Sequence, residues 1–258
     1  MNLSPVSISL SSYGADLVSR LGQAHFAPLL QQAGATHLEL REELFVQADL
    51  RELKHAISDH GLIGVYSSPL EIWQAGLAQP NPLLREALAN AQACGAIWLK
   101  VSLGFFSPHC DLQALDALLV GQPVHLLIEN DQTPQGGRIE PLLQFFDAAA
   151  ALALKVGMTF DIGNWQWQAQ SVNSAALQLG SYVEYVHCKA VHRNAQGKLI
   201  ATPPGEVDLR LWAQLFERLP QGVVRAIEYP LQGADLALLT HEHVGTLARL
   251  AHAEVSHG

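Results

Sequence analysis

Four apolar runs in the second half of the chain each end in a residue that can bind a metal or move a proton. They read Val-His-Leu-Leu-Ile-Glu129-Asn130, Met-Thr-Phe-Asp161-Ile-Gly-Asn164, Tyr-Val-Glu-Tyr-Val-His187-Cys-Lys189 and Val-Arg-Ala-Ile-Glu228-Tyr229. One polar residue after a strand is often only a turn former or helix cap, and Asp161-Ile-Gly-Asn164 admits that reading. Glu129 and Glu228 admit it less well, because Glu is a poor strand former and both close strongly apolar runs. His187 alone would read as a satisfied core histidine. The coincidence on successive runs argues for one site. Three carboxylates brought together repel and raise each other's pKa, and a divalent cation resolves that conflict. Three carboxylates with one imidazole suit Mn²⁺, Mg²⁺, Co²⁺ or Zn²⁺. Such a cation grips a carbonyl and its neighbouring hydroxyl, and stabilises the enediolate left when the proton between them is removed. Two glutamates on opposite sides, Glu129 and Glu228, then serve as base and acid.

Elements that could hold four strand ends together follow from the repeat pattern. A unit of roughly 30 residues recurs: a short apolar run, a polar turn, then an amphipathic Ala/Leu-rich stretch. Strands are predicted at Val6–Leu10, His37–Arg41, Ile63–Ser67, Ile97–Ser102, His125–Glu129, Met158–Asp161, Tyr182–His187 and Arg225–Tyr229. Helices are predicted at Asp16–Gln32, Leu50–His60, Asn81–Ala93, Leu112–Val120, Pro141–Leu154, Ser174–Leu179, Leu209–Arg218 and Asp235–His252. Gly34, Gly61, Gly95 and Gly157 sit where helices should stop. Eight such units in 258 residues predict an α/β fold, a (β/α)8 TIM barrel with its site at the carboxyl ends of the strands, as one domain over residues 1–258. The rival open sheet that binds dinucleotides lacks its G-x-G-x-x-G after the first strand.

Composition narrows the function classes. Lys and Arg number 15 against 24 Asp and Glu, a formal charge of −9, which argues against nucleic acid or an anionic membrane as partner. Cys94, Cys110 and Cys188 form no C-x-x-C pair and read as free thiols. The N-terminus has no cationic segment ahead of an apolar one, and no run approaches ~18 apolar residues; a soluble cytoplasmic protein is expected. Of the 12 histidines, His25, His55, His60, His241, His243, His252 and His257 fall in helix-like stretches or the tail and read as solvated or capping.

The residues between Glu129 and Glu228 resemble those of the xylose isomerase-like TIM barrels, the sugar phosphate isomerase/epimerase superfamily that also contains endonuclease IV. The resemblance extends over the chain as strand–helix order. It implies one divalent metal held by Glu129, Asp161, His187 and Glu228, with Glu129 and Glu228 doubling as the proton-transfer pair. It also implies a substrate arginine six residues after the histidine ligand, here Arg193. Pro204–Asp208 is similar to the family's loop before a late helix. One departure is plain: the family's epimerases usually carry Asp-x-x-His after the sixth strand, and this chain has Asn164, which can hydrogen-bond a hydroxyl but cannot act as a cation. Ser7–Gly14 and Leu40–Phe45 also look similar to TIM-barrel proteins of ketogluconate utilisation, which would imply a keto-sugar acid substrate.

Further candidates line up behind these. Lys100 interrupts an apolar strand and Lys189 follows His187; either, like Arg41 or Arg193, could hold a substrate carboxylate or phosphate. Glu39 joins Arg41 as the polar end of the second strand and is taken as a substrate contact, as is Trp165, which with Trp167 could wall a sugar. His192 adjoins Arg193, and Tyr13 reads as a lid or core residue. The expected function is a metal-dependent isomerase or epimerase of a small ketose, keto-sugar acid or sugar phosphate. The alternatives are a lyase or dehydratase on the same site, and a non-catalytic barrel that binds a sugar acid. A DNA repair endonuclease would need a basic groove. A homodimer stays open, dimers being common among soluble enzymes.

Overall fold

The computed structural model describes residues 3–46 and 49–250. Eight parallel strands close on themselves: β1 (Val6–Ser9), β2 (His37–Arg41), β3 (Ile63–Trp73), β4 (Ala96–Gly104), β5 (His125–Glu129), β6 (Val156–Asp161), β7 (Val183–Cys188) and β10 (Val224–Ile227). Between β7 and β10 the chain adds an antiparallel hairpin of β8 (Ala190–Arg193) and β9 (Leu199–Thr202). The helices are α1 (Ala15–Leu21), α2 (Ala27–Ala33), α3 (Leu50–Asp59), α4 (Leu84–Ala93), α5 (Leu112–Leu119), α6 (Ile139–Ala151), α7 (Val172–Leu179), α8 (Glu206–Phe216) and α9 (Leu236–Arg249). This is the predicted (β/α)8 barrel.

Several element boundaries differ from the expected ones. The helix predicted at Asp16–Gln32 is two helices, because Gly22 at φ +78° takes a conformation that stops the first, its N–H bonded to Val18 O. Asn81 does not begin α4; its side chain accepts from Leu83 N at 3.1 Å ahead of the helix. The strand predicted at Ile63–Ser67 runs on to Trp73, paired with β4 as far as Gly104. The β8–β9 hairpin lies in a stretch that the apolar pattern leaves as loop. His252, the expected end of the last helix, and His257 lie outside the described residues.

The strand period of two sorts side chains between two cores. Ile8, Leu38, Leu40, Leu99, Val101, Leu126, Ile128, Met158, Phe160, Val186 and Ile227 face the helices in one large buried cluster. Val65, Leu127, Tyr185, Val224 and Ala226, with Trp98 against them, fill the lower barrel interior. His37 joins that floor, stacked on Trp98 with 5.6 Å between ring centroids; burial pushes its imidazole down to about 4. Gly157 makes room for Leu127, since a Cβ there would lie 2.9 Å from Leu127 Cδ2. Among the described residues no helix is long and apolar enough to cross a membrane.

Two predictions follow from these contacts. Gly104 has φ +72° and a Cβ there would sit 2.3 Å from Trp73 O, whereas Gly121 at φ +76° faces open space. Gly104→Ala should therefore cost well over the ~1–2 kcal/mol of left-handed strain alone, and Gly121→Ala only that strain, both read as shifts in the urea midpoint. Because the folded pKa of His37 lies below 6.5, its contribution is present above pH 6.5 and is lost as pH falls toward about 4. The stability of His37→Phe should fall less than the parent's across that interval.

Candidate metal centre

The inward positions one step above the apolar floor are polar on nearly every strand. In-register pairing sets Asp161 beside His187, and His187 beside Ala226, two residues before Glu228. Glu129 pairs across to Thr159 on one side and Ser102 on the other. One ligand atom from each of Glu129, Asp161, His187 and Glu228 can be chosen so that all four lie within 4.8 Å of one another.

Each ligand atom is aimed by a local device. The two oxygens of Asp161 divide their work: Oδ1 accepts from the backbone N–H of Gly163 (2.8 Å) and Asn164 (2.9 Å), while Oδ2 faces the cluster. The turn reading of Asp-Ile-Gly-Asn is thus correct for one oxygen. Asn130 clamps the strand beneath, its amide donating to Asp161 O (2.9 Å) and its carbonyl accepting from Asp161 N (2.8 Å). His187 Nε2 bonds Glu39 Oε2 at 2.6 Å, and the Tyr185 hydroxyl donates to the same oxygen at 2.8 Å. With Nε2 held by Glu39, the other nitrogen, Nδ1, faces Glu129 Oε1 (2.8 Å), Glu228 Oε2 (3.0 Å) and Asp161 Oδ2 (3.7 Å).

Three cations share the mouth. Lys100 holds Glu129 Oε2. Arg41 Nη1 donates to Glu228 Oε1 at 2.8 Å, its far edge held by Glu43. Lys189 Nζ lies 2.7 Å from both Asp161 Oδ2 and Glu228 Oε2. These charges govern titration in the cation-free cluster. Burial alone would raise Glu129, but Lys100 and then His187 bring it down to about 2. His187 and Lys189 likewise outweigh burial at Glu228 and hold it well below the usual carboxylate range. At Asp161 burial wins over Lys189 and the pKa rises. Burial would depress the His187 imidazole, yet Glu228, Glu39 and Glu129 hold it well above its ordinary value.

Of the residues singled out from sequence, the structure gathers Glu129, Asp161, His187, Glu228, Lys100, Lys189, Glu39 and Arg41, and Arg193, Asn164 and Trp165 are engaged elsewhere. Arg193 is exposed on β8 and its guanidinium donates to Gly197 O of its own hairpin at 2.8 Å. Asn164 is buried, but its amide donates to Asn130 O and its oxygen accepts from Gln132, so its groups are consumed by loop contacts. Trp165 is fully buried beside Phe160, walling the helix side rather than the mouth. Glu39, taken as a substrate contact, is 0% exposed and turned onto His187. Tyr185 escaped the sequence reading, although it stands two residues before His187 and so on the same inward face.

Two buried atoms test whether a divalent cation fits. His187 Nδ1 and Asp161 Oδ2 are both inaccessible; in the protein alone Nδ1 meets only carboxylate oxygens and Oδ2 meets Lys189 at 2.7 Å, and both face the point where the glutamate oxygens converge. An imidazole nitrogen ringed by three buried carboxylates is the donor set of a cation site. The residues fit.

No protein-family model and no curated protein sequence matches the chain. Solved structures do. A xylose isomerase domain-containing protein from Salmonella typhimurium LT2 is 15% identical with TM-score 0.70, over 95% of this chain and 97% of its own. The D-allulose 3-epimerase from Methylomonas sp., solved with D-allulose, is 16% identical with TM-score 0.69, over 95% and 96%. The IolI protein, solved with a bound zinc atom, is 11% identical with TM-score 0.64, over 97% and 96%. The closed barrel of eight parallel strands and these end-to-end superpositions give the chain the fold of the xylose isomerase-like TIM barrels.

Proposed function

We propose that this protein is a divalent-metal-dependent sugar isomerase or epimerase, with Glu129 and Glu228 as its proton-transfer pair. The observation that carries the reading is the His187 Nδ1 atom, buried and ringed by one oxygen each of Glu129, Glu228 and Asp161. The sugar epimerase and zinc-binding neighbours support it. The substrate class is a small ketose, keto-sugar acid or sugar phosphate.

Glu129, Asp161, His187 and Glu228 would hold the cation. When bound, it supplies positive charge to the substrate oxygen that becomes anionic as the carbon-bound proton leaves. The chain's own groups do the rest. Glu129 and Glu228 stand on β5 and just past β10, on opposite sides of the β6–β7 pair. One carboxylate takes the proton from the carbon beside the carbonyl and becomes the acid. The other returns a proton, to the far face of the same carbon for epimerisation or to the neighbouring carbon for isomerisation. Lys100 on Glu129 Oε2 and Arg41 on Glu228 Oε1 fix the direction of each carboxylate. Glu39 and Tyr185 act through His187 and are positioning residues.

Two measurements check this reading. Solvent deuterium should wash into one carbon of a turned-over ketose with the parent, and Glu129→Gln and Glu228→Gln should each lower that exchange by roughly 10²–10⁴; parent-like exchange in both would remove the two-glutamate mechanism. In calorimetric Mn²⁺ titration, Glu39→Gln should bind the ion about 10–100-fold more weakly, because its amide no longer enforces the Nδ1 lone pair. An unchanged affinity would mean that His187 is not a ligand.

A further inference from the structure

The three cations of the mouth are not equivalent. Each glutamate turns one oxygen toward His187 Nδ1: Glu129 Oε1 at 2.8 Å and Glu228 Oε2 at 3.0 Å. Lys100 and Arg41 bind the opposite oxygens, Glu129 Oε2 and Glu228 Oε1. A metal can take the inward oxygens while both of these cations stay in place. Lys189 differs. Its Nζ sits 2.7 Å from Glu228 Oε2 and 2.7 Å from Asp161 Oδ2, two of the very atoms that face Nδ1. It is 6% exposed, so hydration does not compete for it. Its stem packs on Gly163, where a Cβ would come 2.7 Å from Val191 Cγ2 and 2.8 Å from Lys189 Cγ.

We infer that Lys189 is a tethered stand-in for the metal: its ammonium occupies ligand oxygens of the cation site, and a divalent ion must displace it to bind. The inference rests on the metal-site reading of the four residues. It assigns Lys189 two positions, on Asp161 and Glu228 without the ion and turned away from both with it. In the first, the lysine keeps two buried carboxylates compensated and pointed inward before any metal arrives. In the second, a buried ammonium is left beside the ion without its carboxylates and requires a new acceptor. A substrate oxygen at the mouth supplies one, which makes Lys189 a substrate contact only in the loaded protein.

The test is direct binding of Mn²⁺ by calorimetry to the parent, Lys189→Met and Lys100→Met. Both variants lose one buried positive charge, but only Lys189→Met loses the competitor. Lys189→Met should bind Mn²⁺ at least tenfold more tightly than the parent and several-fold more tightly than Lys100→Met, whose change reflects the lost charge without the loss of a competitor. Equal gains in the two variants would reduce the effect to net charge and overturn the inference, as would no gain in Lys189→Met; in both cases the metal site itself would stand. Binding by none of the three proteins would overturn the metal-site reading and this inference together. If Lys189→Met fails to fold without the ion, Lys189→Ala folded with Mn²⁺ is challenged with a chelator. Slower ion release than from the parent supports a competing lysine, and equal or faster release overturns it.

Discussion

One hydrogen bond organises the mouth of this barrel: His187 Nε2 to Glu39 Oε2, 2.6 Å long and wholly buried. It crosses the barrel interior from β7 to β2, strands that are not neighbours in the sheet. It settles which imidazole nitrogen is left for the cluster, and it compensates the Glu39 carboxylate, which Lys100 and Arg41 also help keep ionised. Tyr185 fixes the oxygen that receives the bond. Were Glu39 apolar, the imidazole would have no reason to turn Nδ1 rather than Nε2 toward the carboxylates, and the four ligand atoms would not converge.

Around that bond the mouth is a compromise between like charges. Glu39, Glu129, Asp161 and Glu228 lie within the reach of one imidazole. Isolated in a low-dielectric interior they would protonate or force the strand ends apart. Arg41, Lys100 and Lys189 prevent this, each from a different strand end and each on a different set of oxygens. The apolar floor and the helix-facing core lie beneath and around this charged layer.

How much of this was legible in the sequence depended on what each residue's position is set by. Strand ends are set by the local apolar run, so Glu129, Asp161, His187 and Glu228 could be placed together before any coordinates. Lys100 stood out because an ammonium in an apolar strand must face something charged. Arg193 is different: counting six residues from His187 places it, but the intervening chain forms a hairpin with its own antiparallel pairing, which points the guanidinium back at Gly197. Counting cannot foresee that. Asn164 and Asn130 were visible as polar residues, yet their exchange of backbone and side-chain hydrogen bonds across the β5–β6 ends depends on strand register. Gly22, read through as helix, shows the opposite failure, a local signal overlooked beside a longer periodic one. Glu39 was visible beside Arg41, which it does meet, but its bond to His187 was not, since only the closed barrel brings β2 across from β7.

The apolar floor has one more consequence. Among the described residues, Trp98, Val65, Leu127, Val224 and Tyr185 fill the barrel beneath the charged layer, so the proposed site is closed from below. On the proposed reading, an ion seated among Glu129, Asp161, His187 and Glu228 would lie deeper than any sugar resting on it, and a bound sugar would cover the ion. Loading would then be ordered by geometry, the ion first and the sugar second.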